Sequence, residues 1–417
     1  MLYNLAIYLY WLGIVIASLF SRKVRTMWRG ERAAFDVLRS KVDPSARYVW
    51  FHAASLGEFE QGRPLIERLR AEHPEYKVLL TFFSPSGYEV RKQYEGADII
   101  CYLPLDTPLN ALRFLRLAHP VMAFFIKYEF WSNYLHILKH RHVPVYSVSS
   151  IFRPGQVFFR WYGYDYKRVL RCFTHFYVQN EESLRLLDSI GISCATVAGD
   201  TRFDRVLQIK EAARRLPVVE AFGKGHQVFV AGSSWPPDED MFIRYFRERK
   251  NWRMVIAPHV IGEDHLRQII DKLGASMKVV RYTQTTPEEA AQADCLIIDC
   301  FGLLSSVYHY GDISYVGGGF GVGIHNVLEA AVWSMPVVFG PNNQHFQEAQ
   351  ELKVAGGGFD FTTYEEFSSI MDRLVGDRTW LADSGQRAGR YVSGRSGATA
   401  RIYTDIEPLL AGHDTSR

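Results

Sequence analysis

The sequence predicts an α/β protein of two open parallel-sheet domains behind an apolar N-terminal helix. Three observations lead there. The chain has 417 residues, and roughly 150 residues per domain gives two domains. From about residue 48, short β-branched or aromatic runs alternate with amphipathic stretches, the pattern of a parallel sheet covered by helices on both faces. The alternation pauses across 205–226 and then resumes. With 47% hydrophobic and 22% charged residues, the composition excludes a disordered or low-complexity chain. A net charge of +3 is too even to indicate a nucleic-acid binder.

Residues 1–20, MLYNLAIYLYWLGIVIASLF, carry no charge. At 1.5 Å per residue such a helix just spans the ~30 Å hydrocarbon layer. A cleaved signal peptide would place its basic residues before the apolar run. Here they follow it: residues 21–50 hold eight Lys/Arg against three acids, a net +5 that leaves the rest of the chain at −2. The expectation is a single membrane anchor or a deeply buried monotopic helix, its basic collar on anionic lipid and the globular body in the cytoplasm. The alternatives are an ordinary core helix and a solvated basic face. Cys101, Cys172, Cys194, Cys295 and Cys300 are odd in number and scattered, as expected of reduced thiols rather than disulfides or a zinc site.

The first domain is expected over 21–206. Its strands are YVWFHAA, KVLLTFF, DIICYLP, PVMAFFI, PVYSVSS and HFYVQN. No strand-like run occurs in 207–226, which is read as the interdomain linker. The second domain, 227–417, follows with QVFVAGSS, RMVIAPH, KVVRYT, CLIIDC, ISYVGGG, PVVFGP and GGGFDF, and closes on a helix from about Gly385 to Leu410. Ligands of open α/β sheets bind beyond the carboxyl ends of the strands, so the active site is expected in a cleft between the two domains.

Five segments carry possible chemistry. In His52-Ala53-Ala54-Ser55-Leu56-Gly57-Glu58, small residues after a strand allow close backbone approach, and Glu58 enters the first turn of a helix. It is either a favourable N-terminal acid or a general base facing a cleft. In Lys127-Tyr128-Glu129-Phe130-Trp131, Glu129 sits among aromatics at another strand end, and is a surface acid or a second cleft carboxylate. Gly317, Gly318, Gly319, Gly321 and Gly323 fall within seven residues after the strand ISYV, followed by His325, Asn326 and Glu329. This is a structural turn or an anion site made by backbone N–H groups and a helix beginning near His325, with Glu329 placed to hold ribose hydroxyls. Ser233, Ser234 and His259 also follow strands and are expected to touch phosphate or base, while Asp238-Glu239-Asp240 is read as acids of a helix's first turn rather than a metal ligand set. Finally, Arg153, Arg160, Lys167, Arg168 and Arg171 interleave with Phe152, Phe158, Phe159, Trp161, Tyr162, Tyr164 and Tyr166, as a buried helix with snorkelling cations or as a platform for an anionic lipid.

Together these motifs resemble the Kdo (3-deoxy-D-manno-octulosonic acid) transferases of lipopolysaccharide synthesis. His52–Glu58 is similar to their H-A-A-S-V-G-E, and Tyr128–Trp131 to their E-x-E-x-W-P. Ala198–Asp204 resembles T-G-N-x-K-F-D, Gly317–Ala331 the glycine-rich G-G-S-F-x-x-x-G-G-H-N-P-L-E-P-A, and Gly340–Phe346 their G-P-x-x-x-N-F. Departures are Lys127 at the first acid of the second motif, Ser132 for its proline, Arg202 for lysine, and Val327 and Ala330 for prolines. The arginine-rich P-R-H-P-E-R segment is reduced to Ala257-Pro258-His259-Val260.

The resemblance implies a GT-B fold of two Rossmann-like domains and an inverting transfer of Kdo from CMP-Kdo to the lipid A precursor (lipid IVA) at the cytoplasmic face of the inner membrane. In one in-line displacement, Glu58 takes the proton of the acceptor's primary hydroxyl and Glu129 completes the catalytic pair. Residues Ser55 and Gly57 join the substrate site, the Gly318–Gly323 loop holds the CMP phosphate, and Arg202 neutralises the leaving charge or the Kdo carboxylate. No cofactor is implied, and no metal, since CMP carries a single phosphate. Two other readings use the same residues: a membrane-associated GT-B transferase of a UDP-sugar, and a non-catalytic nucleotide-binding protein.

Overall fold

The computed structural model describes residues 2–247 and 252–412, apart from the side chains of Leu2, Tyr164, Asp165 and Gly412. The chain divides into a unit of Met1–Arg205 with Ser396–Arg417 and a unit of Val206–Arg395.

In the first unit seven parallel strands form one sheet: β1 (Arg47–Ala53), β2 (Tyr76–Phe82), β3 (Ile99–Tyr102), β4 (Pro120–Ile126), β5 (Val145–Ser150), β6 (His175–Val178) and β7 (Ala195–Val197). Their order is β3-β2-β1-β4-β5-β6-β7. The register sets Phe51 opposite Leu80 on one side and Phe124 on the other. Alternate residues feed two cores. Trp50 and Phe125 pack with Phe114 and Tyr134, while Val49, Phe51 and Phe124 pack with Phe59 and Ile66. Burying each such ring contributes ~2–3 kcal/mol, which is why both faces of these strands read as hydrophobic. The chain turns one way after β1 and the other way after β4, yet these strands are neighbours. Their carboxyl ends therefore flank a topological switch point, where such sheets leave a crevice.

The second unit repeats the plan with β8 (Gln227–Ser234), β9 (Trp252–Pro258), β10 (Val279–Arg281), β11 (Cys295–Ile297), β12 (Ile313–Val316), β13 (Val337–Phe339) and β14 (Gly358–Asp360). The order is β10-β11-β9-β8-β12-β13-β14, all parallel. Here the switch point lies between β8 and β12.

Three details differ from the sequence expectation. A seventh strand, β7, extends the first sheet; it has only three residues and none is fully buried, so it leaves no hydrophobic run. Segment 207–226, expected as a linker, continues the helix Thr201–Glu211 and contains the helix Pro217–Gly223. Val219 and Phe222 are fully buried, and Arg253 donates to the Phe222 carbonyl, so this segment is part of the second unit. The closing helix Ala398–Gly412, expected in the second domain, buries Ile402, Tyr403, Ile406 and Leu410 against Val49, Phe51 and Leu69 of the first. The Asp204 carboxylate caps it by accepting from the N–H groups of Gly397 and Thr399.

At the N-terminus, α1 (Leu2–Phe20) and α2 (Arg22–Lys41) meet at Ser21, whose hydroxyl accepts from the Val24 N–H and caps α2. Among the described residues, only the stretch Tyr3–Phe20 is long and apolar enough to cross a membrane. It is fastened to the first unit at two levels. Tyr3 donates to Asp106 (2.6 Å) and Asn133 to Asn4 (2.9 Å), while Ile14 packs with Met27, Tyr102 and Leu105. The opposite stripe, Leu5, Leu9, Leu12, Ile16 and Leu19, is exposed.

Candidate active site

In the first unit both candidate carboxylates emerge at the switch point, one after each of its strands. α3 (Leu56–Glu72) begins immediately after β1, with Ser55 as its N-cap and Glu58 at its third position. Glu58 Oε2 accepts from the N–H groups of Ala54 (2.6 Å) and Ser55 (3.2 Å), which fixes the side chain over the strand end. Desolvation, with the negative charge of Glu129 second, pushes its carboxyl up to about 7, against the pull of these N–H groups and of Lys127. A carboxylate poised near neutrality has the proton affinity a general base needs. Gly57 faces open space, so the backbone beside Glu58 is accessible.

After β4, Lys127 adopts a left-handed φ of +66° and the chain turns into Glu129. Glu129 Oε2 accepts from the Trp131 indole (2.6 Å) and contacts His52 Nε2 (3.1 Å). The fully buried His52 also bonds Thr81 Oγ1 through Nδ1 (2.8 Å), and Thr81 accepts from the Trp50 indole (2.8 Å). The Trp131 indole also reaches His52 Nε2 (3.1 Å), and Thr81 Oγ1 the Phe51 carbonyl (3.4 Å), so His52, Trp131 and Glu129 form one network backed by Thr81 and Trp50. Glu129 is therefore a held, partly buried carboxylate whose charge acts on Glu58. The role of His52 as its holder was missed from sequence, where only its place at a strand end hinted at it.

Arg202 closes its guanidinium on Asp200 (Nε 2.9 Å, Nη2 2.7 Å), and Gln61 donates to the same carboxylate (3.0 Å). Burial pushes the Asp200 carboxyl up, but Arg202 and these donors hold it below the usual range. The charge of Arg202 is thus balanced within the protein. Gln61 does not stand out in the sequence because it lies inside α3, and Asp200 follows β7, a strand that leaves no hydrophobic run. The aromatic–cationic segment divides. Phe152, Phe158 and Phe173 are core residues, whereas Trp161 (91% exposed), Tyr162 and Tyr166 face outward; the side chain of Tyr164 lies outside the described residues.

In the second unit the segments after β8 and β12 meet at the other switch point. The glycines there are first of all a packing solution. A Cβ on Gly317 would strike the Ser233 carbonyl, and one on Gly319 the Gly340 backbone, while Gly318 and Gly323 take φ values of +95° and +134°. Asp238, fully buried, ties the two segments together, accepting from Trp235 N–H (2.9 Å), Gly318 N–H (2.9 Å) and the Tyr315 hydroxyl (2.7 Å). Asn342 accompanies the loop from Gly340–Phe346, donating to the Gly319 and Gly321 carbonyls.

Several expectations narrow here. The N–H groups of Gly318, Gly321 and Gly323 are spent inside the protein, the last two on the Gly318 carbonyl. An anion on this loop would meet other N–H groups of the turn, such as those of Gly319 and Phe320. The helix expected near His325 begins three residues later and is a single turn, Leu328–Ala331. The preceding Asn326 bonds the Leu328 N–H and the Glu329 carboxylate. Ser234 is fully buried and donates to Glu239 (3.0 Å), which also pairs with His265, so its side chain is structural. Ser233, half-buried at φ +54°, and exposed His259 remain at the rim. Trp235, His259 and His325 stack in turn, with ring centroids 4.7 and 4.6 Å apart. Burial and the neighbouring His259 hold the His325 imidazole below its usual range. Such a stack offers a flat aromatic face and donors for an anion or a base.

Residues 28–205 match the sequence family described as 3-deoxy-D-manno-octulosonic-acid transferase (kdotransferase). The 3-deoxy-D-manno-octulosonic acid transferase of Aquifex aeolicus is 26% identical over 334 residues, 78% of this chain and 86% of that protein. That of Bordetella pertussis is 27% identical over 390 residues, 88% of each chain. A crystal structure of a putative UDP-N-acetylglucosamine 2-epimerase from Listeria monocytogenes shares the fold, with a TM-score of 0.61 at 12% identity over 89% of this chain and 98% of that one. With two parallel seven-stranded sheets of GT-B type, and with relatives of that activity along most of its length, the chain is a glycosyltransferase similar to the 3-deoxy-D-manno-octulosonic acid (Kdo) transferases.

Proposed function

We propose that this chain transfers Kdo from CMP-Kdo to lipid IVA at the cytoplasmic face of the inner membrane, by a single in-line displacement that needs no metal. One observation carries the reading: Glu58 stands at the β1 end of the first switch point with its carboxyl pushed up to about 7. There it takes the proton of the acceptor's primary hydroxyl as the oxygen attacks the anomeric carbon of Kdo and CMP leaves. Burial makes Glu58 basic, and the negative charge of Glu129 adds to it. In the second unit, the turn Gly317–Gly323 receives the CMP phosphate and the stack from Trp235 to His325 flanks it. Arg202, held by Asp200, takes the Kdo carboxylate. The metal-free account is supported by Asp238 and Glu239, whose oxygens already accept from internal donors. The test is mass spectrometry of the product from purified protein, CMP-Kdo and lipid IVA in excess EDTA. The expected product is lipid IVA carrying Kdo; transfer from a UDP-sugar alone, or transfer restored only by Mg²⁺, would overturn the proposal.

The N-terminal helix supports an acceptor in a membrane. Because α1 is fastened to the first unit at Tyr3, Asn4 and Ile14, the favoured reading is an in-plane helix that presents its outer stripe to lipid. Replacing Leu5, Leu9 and Leu12 by Gln is expected to abolish flotation of the protein with anionic phospholipid vesicles. Undiminished flotation of that variant would show that this stripe is not the lipid contact.

A further inference from the structure

The helix that follows Glu129, Ser132–His140, has no cap of its own. Its N-cap residue is Trp131, whose side chain makes no bond to the first turn. The free N–H groups at its start therefore need acceptors from elsewhere. Two residues distant in the chain supply them. Asp106 Oδ2 accepts from the Asn133 N–H (3.0 Å) and Oδ1 from the Tyr134 N–H (3.1 Å). Tyr3 of α1 donates its hydroxyl to Asp106 Oδ2 (2.6 Å), and the phenol oxygen accepts from the Ser132 N–H (3.4 Å). A proline at 132, as in the resembled motif, would have no N–H to give. Asp106 is fully buried, and burial pushes its carboxyl up to about 6 against the pull of Tyr3 and the N–H groups. At neutral pH it is mostly ionised, an acceptor for all three donors.

The same helix α1 reaches this segment from its apolar side. Tyr3, Ile7 and Ile14 fall on one face of α1 at helical spacing. Ile14 is buried with Met27, Tyr102 and Leu105, and both Ile7 and Trp131 pack against that cluster. The Trp131 ring also lies 5.1 Å from that of Phe83, and its indole N–H donates to Glu129 (2.6 Å). One rigid side chain thus links the inner face of α1 to the carboxylate. The outer face is the exposed stripe Leu5, Leu9, Leu12, Ile16 and Leu19. The helix that offers itself to lipid on one side holds the Glu129 segment on the other.

We propose that Tyr3 and Asp106 are positioning residues for Glu129: with α1 seated, they fix the first turn of the helix Ser132–His140 and, through Trp131, the carboxylate that acts on Glu58. This rests on the proposed roles of Glu58 and Glu129 in Kdo transfer, and makes the lipid-facing helix part of the scaffold of that site. Misplacement by ~1 Å from a residue outside the chemistry costs up to ~100-fold in rate.

The experiment uses the full-length protein on anionic phospholipid vesicles, with Tyr3→Phe, which removes only a hydroxyl, and Asp106→Asn. Tyr3→Phe is expected to float with vesicles as wild type does, to keep its KM for CMP-Kdo, and to lose roughly 10-fold or more in kcat. The rise of its kcat/KM with pH should move to lower pH, as for Glu129→Gln, because a loosened Glu129 acts less on Glu58. In the Glu129→Gln background the same change should move the profile no further. The indole N–H resonance of Trp131, assigned with Trp131→Phe, should shift in both variants and needs no turnover. Tyr3, at the end of α1, guards against a folding defect at the buried Asp106. An unchanged kcat and pH profile in Tyr3→Phe overturns the proposal. So does a fall in rate matched by lost flotation, which would confine Tyr3 to membrane binding, or a further shift of the profile in the Glu129→Gln background. Absence of Kdo transfer by wild type, with the Trp131 resonance moved by Tyr3→Phe, would sink the functional reading and leave the positioning of Glu129 standing.

Discussion

Glu58→Gln is expected to lower turnover by roughly 10²- to 10⁴-fold, the range contributed by a general base, with CMP affinity and folding preserved. The amide oxygen of the substituted side chain can still accept from the N–H groups of Ala54 and Ser55 that Glu58 now holds, so the helix start is retained and the lost element is proton affinity. The same side chain sets the pH profile. Burial, then Glu129, pushes the Glu58 carboxyl up to about 7. A base must be ionised, so kcat/KM should rise with pH through that value and level off above it. Glu129→Gln removes a negative neighbour, makes the Glu58 proton easier to lose, and moves this rise to lower pH. Lys127→Gln removes a positive neighbour and moves it to higher pH. Steady-state rates from pH 5 to 9 check both signs. Turnover of Glu58→Gln within a few-fold of wild type would end the general-base assignment, and identical profiles for the two neighbour variants would end the electrostatic one.

The fold was legible wherever burial on both strand faces wrote a continuous hydrophobic run. Strands such as VWFHA and VVF show this, and so do the loops after them, because a switch-point loop must leave a strand abruptly with small or polar residues. Glu58, Glu129 and the glycine turn stand out on that signal. What lay outside it depended on partners distant in sequence. β7 has no buried residue to mark it. The helix Ala398–Gly412 reads as a helix, but its docking on the first unit is decided by Asp204 nearly two hundred residues earlier. His52 looks like part of a signature and is in fact the clamp on Glu129, a contact across β1 and β4 that only the strand order reveals. The glycines read as a phosphate cradle, yet the steric demands of Ser233 and Gly340 account for Gly317 and Gly319 before any ligand is considered. Periodicity places residues on a strand or helix; it does not say which strand is next door.

Asp238→Ala is expected to be the most destabilising single change in the second unit, and to weaken CMP binding through the loop it releases. The carboxylate is fully buried and satisfies three donors, the N–H groups of Trp235 and Gly318 and the Tyr315 hydroxyl. Burial raises its carboxyl, and the three donors offset part of that rise. Truncation leaves all three donors unpaired in a site closed to water, a loss on the order of 3–5 kcal/mol for a broken buried network. For a unit of this size that corresponds to a fall of roughly 10 °C in its melting temperature. Asp238→Asn keeps one accepting oxygen but turns an NH₂ group toward a donor, so it should fall between wild type and alanine. The alternative for an acid in the run Asp238-Glu239-Asp240 is metal binding, and the two accounts separate cleanly. If Asp238 is the structural tie between the segments after β8 and β12, the alanine variant melts early with or without EDTA, and EDTA leaves the wild type unchanged. If it were a metal ligand, EDTA would reproduce the variant's defect in wild-type protein. A variant that melts like wild type would show that the glycine turn holds its shape without Asp238.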